Sequence, residues 1–420
     1  MTELPDGWQA DNIGTIADTQ LGKMLNSSKQ TGTAAMPYLR NINLRWGGFD
    51  LSDVKEMDIF HDEREQFTLR TGDLLICEGG EPGRCAVWKS DLPMAFQNAM
   101  HRVRPKATVS ADFLALQVES QVRNGELDHL FSGVTIKHFS QQKLRGVEVL
   151  IPPLAEQQRI VEILEEQFSR LDAALASIRT VRENAAAFRR SLLQAAFHGA
   201  LAGDSAVSIP SDWSLLSLDE VSEVRLGRQR SPRNHSGPQM RPYLRAANVT
   251  WQGLDLTDVK EMNFSDEELS VLCLKSGDIL VGEASGSPNE VGKAAVFQGE
   301  IENCCFQNTL LRVRPLSIDT RYLHYFLTGT AMSGAYARES RGVGISHLGR
   351  AKLASWPVPV APAPEQQRIG EMLDEQFSRL DAALVVTNQL EARIVSERRS
   401  LLHAAFSGAL TEQWRTTHNG

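Results

Sequence analysis

The chain has 420 residues, of which 42% are hydrophobic and 23% charged, and its formal net charge is −8. This composition excludes a disordered or fibrous chain, and the length predicts at least two domains because one core rarely organises so many residues. No apolar run approaches the roughly 18 residues that cross a bilayer, and the amino end lacks the basic and apolar regions of a signal peptide. We therefore expect a cytoplasmic protein that neither spans a membrane nor is exported.

Cysteine usage and net charge exclude further classes of protein. Five cysteines form an odd set without CxxC spacing, which predicts reduced thiols and no metal site. The acidic balance weighs against a protein that coats nucleic acid indiscriminately, although it says nothing about local basic patches.

The first 153 residues carry short β runs separated by turn residues. Residues 73–77, 85–88 and 101–104 are predicted strands, and residues 111–122 are a predicted helix. We interpret this region as a mixed α/β module.

Two parts of this module combine positive charge with loop composition. Residues 19–49 are rich in glycine and polar residues and contain Lys23, Lys29, Arg40 and Arg45 but no acid. Further along, a glycine is followed by Lys137, His138 and Lys143. Basic loops of this kind are candidates for binding a polyanion.

A long helix is predicted to follow the module. Between Pro153 and Gly199 the chain contains neither proline nor glycine, and Gly199 suits a helix C-terminus. Apolar residues recur with the 4,3 spacing of a coiled-coil seam. The seam comprises Leu164, Phe168, Leu171, Leu175, Ile178, Arg182 and Leu192. At 1.5 Å per residue the helix would be about 65 Å long, too long to bury its stripe against one small module.

The second half of the chain repeats this order. Residues 156–175 recur at 365–384 with 17 of 20 positions identical, and residues 189–201 recur at 398–410. The stretches between these two repeated blocks, 176–188 and 385–397, keep their length of 13 residues but not their sequence. We therefore divide the chain into a first module (1–153), a first helix (154–202), a second module (203–362), a second helix (363–410) and a tail (411–420).

The two long helices are predicted to pair with each other. The seam of the second helix comprises Leu373, Phe377, Leu380, Leu384, Glu391, Ile394 and Leu401. Antiparallel pairing would relate the two modules by a pseudo-two-fold axis, place them at opposite ends and allow Arg182 to approach Glu391. The alternative is that each helix lies along its own module, which would bury the same stripe.

The second module repeats the basic loops. Residues 225–245 hold six arginines and no acid. A net-acidic protein with basic loops at two equivalent places is expected to bind two sites on one polyanion, the alternative being that these are ordinary solvated loops. The residues predicted to contact this polyanion are Lys23, Lys29, Arg40, Arg45, Lys137, His138, Lys143, Arg228, Arg230, Arg233, Arg241, Arg245, Lys293, Arg341, His347 and Lys352.

Comparing the two copies sorts these residues by role. Residues identical in both modules, such as Arg40 and Arg245, are predicted to contact phosphate or to hold the framework. Sequence readout is predicted where the copies differ: in 24–36 against 229–241, in 79–84 against 284–293, and in 131–137 against 340–346. Gln97 and Asn98 could read adenine, but both modules share them, so we interpret them as structural.

The order of these segments resembles the specificity (S) subunit of type I restriction-modification systems. The motifs that carry the resemblance are Ile151-Pro-Pro-Leu-Ala-Glu-Gln-Gln-Arg-Ile160 entering the helix, Phe168-Ser-Arg-Leu-Asp172 inside it, and residues 191–201 closing it. One departure is Ala363-Pro364 at the start of the second helix, where the first copy has Leu154-Ala155.

The resemblance implies a fold, a function and a set of partners. It implies two duplicated α/β target-recognition domains, separated by two long helices in an antiparallel coiled coil, that each read half of a split site in double-stranded DNA. It implies two methylation (M) subunits, which carry S-adenosylmethionine and methylate adenine, and restriction (R) subunits that cut. The chain itself would be non-catalytic and would bind no cofactor.

Two rival interpretations belong to other classes. A scaffold whose paired helices join two protein-binding modules would have partners but no sequence preference. A fused enzyme is disfavoured because the Asn/Asp-Pro-Pro-Tyr/Phe motif of amino methylation is missing from the sequence.

Overall fold

The computed structural model describes residues 4–26, 30–133, 137–197, 209–285, 290–339 and 346–418, with residues 284, 285, 339 and 346 described in the backbone only. The chain forms two compact units, Met1–Ile178 with Asn388–Gly420, and Arg179–Thr387. Each long helix therefore contributes one half to each unit, whereas the sequence assigned both helices to separate spacers.

The first unit is built on a four-stranded antiparallel sheet. Its strands lie in the spatial order Ala17–Leu21, Met100–Pro105, Leu74–Cys77, Cys85–Val87. A three-stranded sheet follows the order Lys55–Asp58, Ala35–Leu39, Ala95–Phe96, and two-stranded pairs join Gln9–Asn12 with Glu148–Ile151 and Leu44–Arg45 with Gly48–Phe49. The shorter helices are Ile13–Ile16, Arg64–Phe67, Ala111–Arg123, Gln141–Arg145 and Glu412–His418, with 3-10 turns at Asn41–Asn43, His61–Glu63 and Asp128–Leu130.

The second unit repeats this topology. Its four-stranded sheet follows the order Ser222–Leu226, Leu310–Pro315, Ile279–Gly282, Ala294–Val296, and its three-stranded sheet the order Lys260–Asn263, Met240–Leu244, Cys305–Phe306. Pairs join Ser214–Ser217 with Pro357–Val360, Val249–Thr250 with Gly253–Leu254, and Ala284–Ser285 with Ser346–His347. The shorter helices are Leu218–Val221, Asp266–Leu272, Thr320–Met332, Ala335–Glu339 and Arg350–Ala354, with 3-10 turns at Pro232–Asn234 and Ala246–Asn248.

The strands predicted from the β runs are confirmed, and their alternation explains the core. Leu74 and Ile76 belong to one hydrophobic cluster, which includes residues of the helix Ala111–Arg123. Leu75 and Cys77 belong to a second cluster on the other face of the sheet. Because successive side chains point to opposite faces of a strand, a fully apolar strand here means a sheet covered on both sides.

A buried ion pair is repeated in both modules. Arg104 Nε donates to Asp73 Oδ1 at 2.7 Å, and Arg314 Nε donates to Asp278 Oδ1 at 2.6 Å. The hydrogen bond that Arg104 donates to Asp73 raises the pKa of Arg104 above its usual value, against the opposing effect of burial. These identical residues hold the framework rather than a ligand.

The predicted long helices are also confirmed, as Leu154–Ala196 and Ala363–Phe406. Pro364 lies in the first turn of the second helix, where a missing N–H costs nothing because no partner exists for it. The departure from the first copy at this point therefore leaves the helix start in place.

The helix halves run antiparallel within the first unit. Asp172 of the first helix accepts a hydrogen bond from Arg398 of the second at 3.2 Å. Earlier in the first helix, Glu156 accepts from Arg415, which follows the second helix. Leu164 and Phe168 lie in one buried cluster with Leu402 and Ala405.

The same pairing recurs within the second unit. Arg189 donates to Asp381 at 2.6 Å, and Leu193 shares a buried cluster with Leu373 and Phe377. The predicted antiparallel pairing is thus confirmed inside each unit. The alternative prediction, that each helix lies along its own module, is also correct in part. Leu373 of the second helix packs in the same cluster as Tyr322 of the second module.

The seam residues behave as the spacing predicts, with one addition in each helix, Leu193 and its counterpart Leu402. The residues Leu171, Leu175, Ile178, Arg182, Leu192, Leu380, Leu384, Glu391, Ile394 and Leu401 are half-buried or buried. Leu193 is fully buried although a strict heptad seam leaves it out. Arg182 and Glu391 belong to different units, so their approach stays a prediction.

Across the part of the chain that the structure describes, every helix is too short or too polar to traverse a bilayer.

Candidate nucleic-acid interface

The three variable stretches of the first module start from neighbouring backbone positions. Asn98 N donates to Lys23 O at 2.9 Å, next to the first stretch. Glu78 N donates to Ala99 O at 2.8 Å, and Phe139 N donates to Glu78 O at 2.7 Å. Glu78 directly precedes the second stretch and Phe139 closely follows the third, so all three stretches begin or end near these hydrogen bonds. The fold therefore gathers at one place the segments in which the sequence predicted readout.

The second module uses the same hydrogen bonds. Asn308 N donates to Arg228 O at 3.0 Å, Glu283 N donates to Thr309 O at 3.0 Å, and Leu348 N donates to Glu283 O at 2.8 Å. The two modules thus share one backbone frame around stretches whose sequences differ. Residues 27–29, 134–136, 286–289 and 340–345 of those stretches lie outside the described residues.

A glycine in each copy makes this frame possible. A Cβ atom on Gly22 would lie 2.2 Å from Gln97 O, and one on Gly227 would lie 2.3 Å from Gln307 O. Gln97 N in turn donates to Leu39 O at 2.9 Å. The shared Gln-Asn pair acts here through its backbone, in agreement with its structural interpretation.

The second and third variable stretches contact each other directly. Gly79 forms an isolated antiparallel bridge with His138, and the corresponding residues of the second module, Ala284 and His347, pair in a short two-stranded sheet. Both histidines are exposed. The two predicted histidines therefore lie at equivalent junctions between variable loops.

Two of the strongest predicted DNA contacts lie in internal ion pairs instead. Lys23 Nζ donates to Asp58 O at 2.8 Å and pairs with Glu63. Its counterpart Arg228 pairs with Glu268, with Nε 3.0 Å from Oε1. Since both cations are mostly buried and neutralised within their modules, the structure favours a framework role for them over the predicted DNA contact.

Arg40 and Arg245 are held in the same way. Arg40 Nη2 donates to Asp53 Oδ2 at 2.7 Å, and Arg245 pairs with Asp258. The hydrogen bond from Arg40 holds the pKa of Asp53 below its usual value, and Lys260 together with Arg245 does so for Asp258. Of the two predicted roles, phosphate contact or framework, the geometry favours the framework.

Three further predicted contacts have acidic partners. The pairs are Lys293 with Glu290 at 2.8 Å, Arg45 with Asp50 at 3.3 Å and Arg241 with Asp266 at 3.9 Å. Arg45 keeps half of its side chain exposed, so its pairing is that of a weak surface salt bridge. Arg45 therefore remains available to a phosphate.

Three exposed cations lie in the first variable stretch of the second module and in the third stretch of the first. Arg230 donates from Nε to His235 Nε2 at 3.1 Å, and Arg233 has no hydrogen-bond or ion-pair partner among the described residues. Lys137 is exposed near the ring of Phe131. Lys143 and Lys352 are half-buried on equivalent short helices. Lys29 and Arg341 lie outside the described residues.

Sequence reasoning missed Asn41, whose Nδ2 donates to Gly79 O at 2.9 Å and ties a turn to the second variable stretch. The sequence did contain a signal for this turn. Arg40 and Asn43 recur as Arg245 and Asn248, and the two residues between them differ between the copies. No group of three or more His, Cys, Asp or Glu side chains that could hold a metal ion occurs within the described ranges. The exposed cations beside the variable stretches give this arrangement the means to bind a polyanion.

Comparison with known proteins agrees with this geometry. The family model described as "Type I restriction modification DNA specificity domain" matches residues 5–179 and 210–392. The EcoKI specificity subunit of Escherichia coli (strain K12) is 25% identical over 434 residues, covering 98% of this chain and 91% of its own length. The StySPI specificity subunit of Salmonella potsdam is 23% identical, with the same coverage of both chains.

Two solved structures share the fold. A chain from a study of complex assembly and conformational transition of the type I R-M system superposes with a TM-score of 0.71 at 19% identity, covering 97% of this chain and all of that one. The HsdS subunit from Thermoanaerobacter tengcongensis gives a TM-score of 0.57 at 18% identity, covering 97% of this chain and 98% of its own.

Proposed function

The chain belongs to the type I restriction-modification DNA specificity family, and from this premise we propose that its two modules read the two halves of one split DNA target. The observation that carries the proposal is the common backbone frame, from which each module presents different loops. A shared frame gives both modules the same docking geometry, while unlike loops give them different base preferences.

The cations divide into two groups in this proposal. Arg230, Arg233 and Lys137 contact phosphates, since their charges face solvent in or beside the variable stretches. Lys23, Arg228, Arg40 and Arg245 hold the loops in place through their ion pairs. A third group supplies further contacts to DNA. It comprises Arg45, Lys143, His138, His347 and Lys352.

We also propose the partners that complete the activity. Two M subunits, which bring S-adenosylmethionine, methylate adenine in the site that this chain selects, and R subunits cleave DNA in the full complex. The chain itself is non-catalytic and binds no cofactor. The support is that the curated relatives are named specificity subunits, and that a solved relative comes from a study of type I complex assembly.

A map of methylated adenines in the host genome tests the proposal. Cells carrying the gene should show one bipartite methylated motif, cells lacking it should lose that motif, and the restored gene should return it. Exchanging residues 209–362 for the equivalent module of a relative should change one half of the motif and leave the other unchanged. Identical maps with and without the gene would refute DNA readout and favour the scaffold interpretation.

A further inference from the structure

A short turn in each module is held by the same hydrogen bonds. Arg40 N donates to Asn43 Oδ1 at 2.9 Å, and Arg245 N donates to Asn248 Oδ1 at 3.1 Å. The amide of Asn43 donates in turn to Asp50 O at 2.9 Å, across the loop that the turn opens. Because Asn43 and Asn248 are both buried, each turn is a rigid platform.

The two residues on this platform differ between the modules. The first module has Asn41 and Ile42, and the second has Ala246 and Ala247. Ile42 leaves 56% of its surface exposed although it is a large apolar residue. Isolated exposed apolar residues are common on proteins, so exposure alone assigns no role to Ile42.

The surroundings of Ile42 distinguish it from an ordinary exposed residue. Arg45 Nη1 donates to Ile42 O at 2.6 Å, and Arg84 Nη2 donates to Asn41 O at 2.9 Å. Asn41 also ties the turn to Gly79, in the second variable stretch. Ile42 therefore projects from a fixed turn that is flanked by two guanidinium groups and joined to a variable loop.

We propose that Ile42 is a specificity-determining residue that contacts the 5-methyl group of a thymine in the first half-site. The thymine methyl is the one apolar group that base edges present in the major groove, and an aliphatic side chain matches it without a hydrogen bond. Ala247 offers a smaller apolar surface at the equivalent position, so we expect a weaker thymine contact in the second half-site. The inference rests on the proposed function, because it assigns one residue of the same interface.

Replacing thymine by uracil tests this contact without altering the protein. The complete chain with its M subunits is titrated with duplexes in which each thymine of the first half-site is changed in turn to uracil, which removes only the methyl group. One position should lose about fourfold in affinity, the value for withdrawing one buried methyl group. The same change at the equivalent position of the second half-site should lower affinity by less.

The variant Ile42→Ala tests the same contact by changing the protein instead of the DNA. It should lose affinity for the thymine duplex by a similar factor and become insensitive to uracil at that position. Leu92→Ala, at a more exposed apolar residue of the same module, is the matched control and should behave as wild type. Ala247→Ile should strengthen the thymine preference in the second half-site.

Three outcomes would overturn the assignment: a first half-site without thymine, full indifference of the wild type to uracil, or an Ile42→Ala complex that still distinguishes uracil. A bipartite methylation motif in the wild type would still support the proposed function in each case.

Discussion

The guanidinium carbon of Arg398 lies 4.0 Å from the centroid of the Phe168 ring, and the same arginine forms an ion pair with Asp172 at 3.2 Å. Arg398 opens the second repeated block of the second helix, whereas Phe168 lies in the first repeated block of the first helix. The contact therefore joins a block of one copy to the complementary block of the other.

The second unit contains the reciprocal contact. Arg189 lies 4.7 Å from the centroid of the Phe377 ring and forms an ion pair with Asp381 at 2.6 Å. Each repeated block is thus conserved between the copies because it packs against the complementary block of the other helix. The 13-residue stretches between the blocks keep their length but not their sequence, and neither of these two arginine–phenylalanine contacts involves them.

Arg398→Ala is expected to destabilise the first unit by about 1–2 kcal/mol. The loss comes from the cation–π contact, which is worth about that much when partly desolvated. The ion pair adds little because Asp172 is 62% exposed. Thermal and urea denaturation would measure the change.

Arg399→Ala is the matched control, since Arg399 is exposed on the same helix. It should change stability by less than about 0.5 kcal/mol. Equal effects of the two substitutions would show that the contact with Phe168 contributes nothing.

The charge pattern shows where sequence reasoning fails. The stretch from Thr19 to Phe49 contains no Asp or Glu, so the sequence alone predicts a basic patch. In the fold, Glu63 and Asp53 come from outside the stretch and neutralise Lys23 and Arg40. A run of residues reports charge along the chain, whereas binding depends on charge in space.

The long helices were easier to predict, for a physical reason. Helix periodicity and the duplication are local patterns, so residues such as Leu164 and Leu373 identify the seam directly. By contrast, the position of the turn at Asn41 depends on a hydrogen bond to Gly79, 38 residues away. No spacing rule encodes such a contact.

Arg415→Met is expected to cost about 3–5 kcal/mol in the first unit. Arg415 donates to the fully buried Glu156 carboxylate at 2.9 Å, together with Trp8 and Thr411. Removing the arginine leaves a buried charge without its counter-ion. Denaturation of the full chain would measure the loss.

The second unit supplies the control. Glu365, the counterpart of Glu156, keeps 30% of its side chain exposed and pairs with an exposed arginine, Arg368. Arg368→Met should therefore cost less than about 1 kcal/mol. A small effect at Arg415 would mean that water or another group reaches Glu156.

His324 should make the second unit sensitive to acid. Burial lowers the pKa of His324 to about 4, against the raising effect of Asp374. The unfolded chain, with an ordinary histidine pKa near 6.5, then binds more protons than the folded one. Stability is therefore full above about pH 6.5 and falls as the pH drops towards about 4, by up to about 3 kcal/mol.

His324→Phe should flatten this fall, because a phenyl ring takes no proton. His403, which is exposed on the second long helix, provides the control as His403→Gln, and its pH dependence should match that of the wild type. Denaturation midpoints measured at intervals between pH 7 and pH 4 would compare the three proteins. An unchanged slope in the phenylalanine variant would place the acid sensitivity elsewhere.

Arg230 and Arg233 are expected to contact DNA phosphates, whereas Arg228 is not. Neutralising a residue that contacts a phosphate lowers the slope of log affinity against log salt by about 0.9, because fewer counterions are released. Arg230→Gln and Arg233→Gln should each flatten the slope of the assembled complex with M subunits. Arg228→Gln should leave the slope unchanged and lower stability instead, since its partners Glu268 and Asn263 lie inside the module. A flatter slope for Arg228→Gln alone would reverse these assignments.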